Sequence, residues 1–212
     1  MSGHDINSLG DCRRCKLTPR TDISAEMARS YFCTASGRKL YLFDPCPEDI
    51  DVIDIATGLS GINRFGGHIN GKACAWFYSV AEHSWLASYL VPVEHAMWAL
   101  MHDAPEGLGF GDLISPAKRC LPEYSAGEAF MMSRVCLKLD IPFSEPATVK
   151  RADQRLLSAE QLLLQPNVLW LRNAISERGH EPLPADLTIR CWDGPTARFK
   201  FLERYEELRG KL

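Results

Sequence analysis

The stretch Val93-Glu-His-Ala-Met-Trp-Ala-Leu-Met-His-Asp-Ala-Pro-Glu106 decides the fold. Pro92 opens it, Met97, Leu100 and Met101 recur at three- and four-residue intervals, and the pattern predicts a helix running to about Leu108. His102, Asp103 and Glu106 fall in its last turns. Upstream, Ser79 to Leu90 reads as a helix capped by Ser79, stopped by Pro92 and carrying His83. Before that, Asp49 to Asn63 has a helical pattern behind Pro47 and Glu48 and ends at Arg64-Phe-Gly-Gly-His68. Downstream, Ser125 to Leu139, Thr148 to Leu164, Val168 to Arg178 and Thr196 to Arg209 are helical, with Pro142 and Pro146 separating the first two, and Pro116 to Cys120 is a short basic turn. Gly37-Arg-Lys-Leu-Tyr-Leu-Phe-Asp-Pro45 pairs a glycine turn with alternating apolar residues, a small strand or hairpin. The expected architecture is a mostly α bundle over residues 31–212, with a minor β element near its start and a polar extension over residues 1–30.

The composition fits that architecture. Of 212 residues, 46% are hydrophobic and 24% charged, which excludes disorder, collagen and coiled coil. At this length about 70% of the unfolded chain's surface is buried on folding, so packing alone can supply stability. A net charge of −3 provides no broad basic field, so neither a nucleic-acid polymer nor a membrane surface is the expected partner. No stretch has the apolar length of a leader or a membrane span, and a cytoplasmic setting is expected. The eight cysteines are accordingly expected to be reduced, with Cys74, Cys120, Cys136 and Cys191 packed singly as thiols. Cys12-Arg-Arg-Cys15, followed by Cys33 and Cys46, is a weak metal signal, because structural sites usually take two close pairs and one is present.

Four candidate metal ligands emerge from the helix layout: His83, the adjacent His102 and Asp103, and Asp153. Neighbours on a helix diverge by about 100°. His102 and Asp103 therefore meet one ion only beside their helix, with other ligands closing from neighbouring helices, as in bundle-core metal sites. Two imidazoles and two carboxylates suit zinc, cobalt, manganese or iron and leave positions for water and substrate. Glu106, four residues after His102, shares its face and is the candidate acid/base. Arg64, Lys118 and Arg119 lie in loops that bracket the site in sequence, where cationic groups offset phosphate charge, so phosphoryl transfer is the reaction class these parts suit. Plainer readings stand beside these. Asp153 is equally an exposed helix charge, His68 a turn residue or a donor behind a ligand, His95 a solvated residue at a helix start, and His4-Asp5 a chance pair in a tail.

Tyr78-Ser-Val-Ala-Glu-His-Ser84, Ala99-Leu-Met-His-Asp-Ala-Pro-Glu106, Gly111-Asp-Leu-Ile-Ser-Pro-Ala-Lys-Arg119 and Val149-Lys-Arg-Ala-Asp153 together resemble the H…HD…D signature of HD-domain phosphohydrolases. Within that superfamily the chain is most similar to phage and prophage deoxynucleotide hydrolases, of the deoxyribonucleoside 5′-monophosphatase and phage dATP triphosphohydrolase types. The likeness runs from about Ser36 to Leu164. It implies an HD-domain helical bundle that binds a divalent metal (cobalt, manganese, zinc, iron or magnesium) through His83, His102, Asp103 and Asp153. Glu106 would be the catalytic carboxylate, Asp112 the second acidic group, Arg64 and Lys118 the phosphate contacts, and Phe65 the residue filling the space of a 2′-hydroxyl. The implied substrate is a deoxynucleotide, with adenine slightly favoured, in a homo-oligomer of the cytoplasm, that of a phage-infected host included. Two departures from the family pattern are visible: Gly-Leu-Gly-Phe-Gly before Asp112 is one residue longer, and Gly71 to Trp76 lengthens the loop before His83. Trp76 there is either a base-stacking ring or a tryptophan closing the core. The same metal signature also serves alarmone and cyclic-nucleotide hydrolases, and a nucleotide-binding regulatory module without turnover, using Cys12 and Cys15 to contact a partner, is the alternative from another class.

Overall fold

The computed structural model describes residues 12, 14–72 and 74–210. Residues 1–11 and 13 of the expected extension, His4 and Asp5 among them, lie outside the described residues. The described chain is mostly α, with eight α-helices and a two-stranded sheet. Strands β1 (Tyr31–Cys33) and β2 (Lys39–Tyr41) pair antiparallel, Phe32 opposite Leu40, so the hairpin begins before Gly37 rather than at it. The helices are α1 (Val52–Gly61), α2 (Val80–Ala87), α3 (Val93–Met101), α4 (Ser115–Lys118), α5 (Pro122–Leu139), α6 (Ala147–Leu164), α7 (Leu169–Arg178) and α8 (Gly194–Arg209). Ser79 caps α2 as expected, its hydroxyl accepting from the Glu82 amide at 3.1 Å. No helix among the described residues is long and apolar enough to cross a membrane.

One helix is shorter than its periodicity implies. The helix expected from Val93 to Leu108 stops at Met101, and Glu106–Phe110 forms a separate π-turn. Pro105 has no N–H to continue the ladder. Gly109 sits at φ 106°, where a side chain is strained and where a Cβ would also meet the Phe32 ring. His102 and Asp103 consequently lie in a turn.

Two compact units divide the chain: the first holds the described residues up to Gly58 with Ala104–Phe143, and the second holds Leu59–Asp103 with Ser144 onward. In the first, α5 packs on the turn Pro47–Asp49 and on the π-turn, around a core that includes Leu40, Ile55, Leu108, Met131 and Val135. Phe110 stands edge-on to Phe43 and to Tyr124, and the Tyr124 hydroxyl lies 2.9 Å from the carbonyls of Phe110 and Gly111. These contacts fix the chain that leaves the π-turn.

In the second unit α2 is central, packing on α3, α6 and α8. Its face toward those helices is not only apolar, since Glu82, His83 and Ser84 are buried along with Val80, Ala81, Leu86 and Ala87. Buried charge requires partners. The Glu82 carboxylate accepts from three successive backbone amides, Arg190 at 2.6 Å, Cys191 at 3.0 Å and Trp192 at 2.7 Å, and so fastens the segment leading into α8. Asp193 then caps α8 by accepting from the Thr196 amide at 2.8 Å. The same segment corrects the expectation of singly packed thiols for two of the four: Cys74 and Cys191 are joined as a disulfide, with Cα atoms 5.6 Å apart, within the usual reach of a bridge, while Cys136 is a buried free thiol and Cys120 an exposed one. The expectation rested on compartment, whereas the fold brings together two cysteines 117 positions apart.

Candidate metal centre

Hydrogen bonds behind the two histidines decide where their ligand atoms point. The Nδ1–H of His83 donates to Glu160 Oε1 on α6 at 2.6 Å, and the Tyr78 hydroxyl donates to the same oxygen at 2.7 Å. His83 and Glu160 are both 0% exposed. The Nδ1–H of His102 donates to the Ala99 carbonyl at 2.7 Å. In each ring that bond assigns the proton to Nδ1 and turns the Nε2 lone pair the other way.

The two Nε2 atoms lie 3.2 Å apart. Around them Asp103 Oδ2 is 3.3 Å from His102 and 3.7 Å from His83, and Asp153 Oδ1 is 3.1 Å from His83 and 4.0 Å from His102. Two imidazole nitrogens each about 2.0–2.1 Å from a shared cation would stand about 3–3.4 Å apart. The spacing therefore fits a metal, and His83, His102 and Asp153 form a group able to hold one. Asp103 Oδ2, buried without a hydrogen bond, faces Arg64 and both imidazoles and is placed as a further candidate ligand. Asp153 is thus not an ordinary exposed helix charge, although its side chain keeps 38% exposure on the open side.

The electrostatics agree with the geometry. Burial opposes charge on His83, and Arg64 opposes it too, but Glu160 and Asp153 outweigh both and raise the imidazole to about 10. Burial would likewise raise the Asp153 carboxyl, yet the His83 hydrogen bond and the charges of His83, His102 and Arg64 hold it below the usual carboxylate range. Glu160 is kept low against its burial chiefly by Arg64 and His83. Without a metal, a proton on His83 fills the electrostatic place of a cation.

Arg64 joins this cluster, with Nη1 3.6 Å from Asp103 Oδ2 and Nε 3.3 Å from Glu160 Oε2. It is set by a left-handed turn, Phe65 at φ 57° and Gly66 at φ 58°. Left-handed backbone at a side-chain-bearing residue costs about 1–3 kcal/mol. The turn is held by the Arg64 amide donating to the Tyr78 carbonyl at 2.9 Å and the His68 amide donating to the Phe65 carbonyl at 3.1 Å. The Phe65 ring lies 5.6 Å from the Arg64 guanidinium. Trp76 is 69% exposed, so its core-closing reading is corrected. Its ring lies over Gly71, where the missing side chain leaves it room. His68 is an exposed turn residue, and His95 lies 2.7 Å from the Thr148 hydroxyl.

The remaining expected site residues belong to the first unit. Glu106 is buried in the π-turn with its carboxylate 3.6 Å from Lys118 Nζ, and that ammonium donates to Glu128 at 2.9 Å. Asp112 follows, half-buried. Glu160 and Tyr78 were missed from the sequence. A signal for Glu160 existed: it stands seven residues after Asp153, two turns along the same helix face.

No family profile matches the chain. It is 40% identical over 132 residues to the uncharacterized protein YfdR of Escherichia coli K12, an alignment covering 62% of this chain and 71% of that protein. It is 34% identical over 198 residues to the uncharacterized protein RCAP_rcc00048 of Rhodobacter capsulatus, covering 88% of this chain and 99% of that protein.

Proposed function

The chain belongs to the same family as these two bacterial proteins, and we propose that it is a divalent-metal-dependent phosphohydrolase of 2′-deoxynucleotides, releasing phosphate or triphosphate from the 5′ position. The observation that carries this reading is the convergence of the His83 and His102 Nε2 atoms at 3.2 Å with the Asp103 and Asp153 carboxylates, each imidazole locked from behind. A dication at that point, whether zinc, cobalt, manganese, iron or magnesium, supplies Lewis-acid polarisation of a phosphoryl oxygen and acidifies water.

The chain's own groups do the rest. Glu160 keeps the His83 ring oriented, which holds the ligand geometry through the reaction. Arg64, already beside the carboxylates, offsets phosphate charge, and Phe65 next to it fills space that a 2′-hydroxyl would need. Trp76 offers an exposed ring face on which a base can stack, and the resemblance slightly favours adenine as that base. By the resemblance Glu106 would be the acid/base and Asp112 the second acidic group, and Lys118 Nζ, 3.6 Å from Glu106 Oε1, offsets the Glu106 charge.

The deciding experiment incubates metal-loaded protein with deoxy- and ribonucleoside mono- and triphosphates, detecting phosphate and triphosphate separately. Triphosphate from dATP identifies a triphosphohydrolase, and phosphate from deoxymonophosphates a 5′-nucleotidase. No turnover with any of the five metals overturns the proposal in favour of a nucleotide-binding module.

A further inference from the structure

A second group of ligand atoms lies in the first unit. The Sγ atoms of Cys12, Cys15 and Cys46 all fall within 4.8 Å of one another. Cys12 is 1% and Cys46 3% exposed, Cys15 is half-buried, and none of the three is in a disulfide. Two turns bring them together. In one, the Cys12 amide donates to the Leu17 carbonyl at 2.9 Å and the Lys16 amide to the Cys12 carbonyl at 2.8 Å, with Lys16 left-handed at φ 59°. In the other, Pro47 starts a 3-10 turn and the Asp49 amide donates to the Cys46 carbonyl at 2.9 Å. Backbone bonds rather than sulfur chemistry fix both turns, so the thiols are presented whether or not they are linked.

We infer that Cys12, Cys15 and Cys46 form a thiolate site for zinc, separate from the His and Asp cluster and structural in role. Thiolates about 2.3 Å from a tetrahedral zinc stand about 3.8 Å apart, a spacing the cluster admits. Three sulfur ligands select zinc over the hard cations that carboxylates prefer. Glu48, whose Oε2 accepts from the Cys46 thiol at 2.7 Å, either moves into the fourth position or holds the water there.

Burial and the Glu48 hydrogen bond push the Cys46 thiol up, so the charge of a zinc–thiolate group has to be offset by cations nearby. Three thiolates around a dication leave one negative charge over. Arg134, nine-tenths buried, lies within electrostatic range of Cys15, Cys46 and Asp44, and its Nε has no hydrogen-bond partner. A guanidinium that deep requires nearby anions. Arg14, likewise in range of Cys12 and Cys46, is anchored by Asp49 at the rim.

The test uses the full chain, purified under reduction without chelators, in wild-type form and as Asp153→Ala, which disables the other cluster without touching this one. One zinc per Asp153→Ala chain by elemental analysis is expected, and reloading with cobalt should give the near-ultraviolet thiolate-to-cobalt charge-transfer band. Cys46→Ser should lose that band. Should the serine variant not fold, titration of the Asp153→Ala chain with a mercurial, followed by a metal-indicator dye, should release the zinc as the thiols are capped. Zinc-free protein that gives no cobalt–thiolate band, zinc that survives complete thiol capping, or a Cys12–Cys15 disulfide in the reduced preparation each overturns the site. Nucleotide turnover enters none of these readouts, so the zinc site and the phosphohydrolase proposal fail separately.

Discussion

The two metal-competent clusters are built on opposite plans. His83, His102, Asp103 and Asp153 come from helices and a helix end in the second unit, and each imidazole is aimed by a buried acceptor behind it. Cys12, Cys15 and Cys46 come from two turns in the first unit, aimed by backbone hydrogen bonds. The first plan sets ligand direction through side-chain partners that can be mutated singly and keeps an exposed edge at Asp153. The second buries Cys12 and Cys46 and leaves Cys15 half-buried. Open mixed nitrogen and oxygen shells suit chemistry, and closed sulfur shells suit scaffolding.

The sharpest way to break that comparison is to remove one ligand from each side. His102→Ala should forfeit several kcal/mol of transition-state stabilisation, about 10³-fold or more in turnover, together with one bound metal. Cys46→Ser should leave the turnover of the folded fraction in place, and comparable losses in the two variants would erase the distinction. Next in size, Glu106→Ala should lower turnover by about 10²–10⁴-fold while the metal stays bound, as a proton-transfer group rather than a ligand requires. Unchanged kcat would remove Glu106 from the chemistry.

Acidity separates the clusters further. In the metal-free protein the His83 imidazole is raised from 6.5 to about 10. Its contribution to stability is therefore fully present below 6.5 and lost as pH rises through about 10. A metal entering the cluster displaces that proton, so apparent affinity, followed by competition with a chromophoric chelator, should climb about tenfold per pH unit above neutrality. It should level off near pH 10, and a flat profile would mean that His83 carries no proton to displace. Glu160→Gln, which keeps the shape behind His83 but removes the charge, should weaken metal binding by about 10–100-fold, with no effect on thiol-bound zinc. The smallest effect belongs to Ser79→Ala, which removes the cap of the helix bearing His83 and should cost about 1 kcal/mol in thermal or denaturant unfolding.

Much of the helical framework was legible because the apolar residues of α2, α5, α6 and α8 recur at helical spacing and because proline, glycine and a serine cap mark their ends. The break after Met101 was not, since the periodicity through Leu100 and Leu108 outweighed Pro105 and Gly109, the residues that enforce it. The candidate ligands could be read from their helix positions together with the resemblance of the H…HD…D segments, since a His–Asp pair alone, like His4-Asp5, carries little. Glu160 carried a weaker sign, its place two turns after Asp153 on one helix face, and among Ala159, Gln161 and the leucines that follow it looks like any helix carboxylate until the partner 77 residues away is known. Distance in sequence hid the disulfide in the same way, and of Cys33 and Cys46, both named after the Cys12–Cys15 pair, it left open which one joins it. Periodicity reports which face of a segment is buried, but not which remote residue meets it.

Glu82 and His83 are consecutive on α2, and the loop fastened by Glu82 lies more than a hundred positions downstream. For anyone shortening this protein, the consequence is that the last part of the chain is foundation and not trim. A fragment ending after α7 would strand a buried carboxylate one residue from a ligand of the candidate metal centre, remove the helix packed against α2 and leave Cys74 without its bridge. Tags and fusions are safer placed beyond Arg209 than in place of α8.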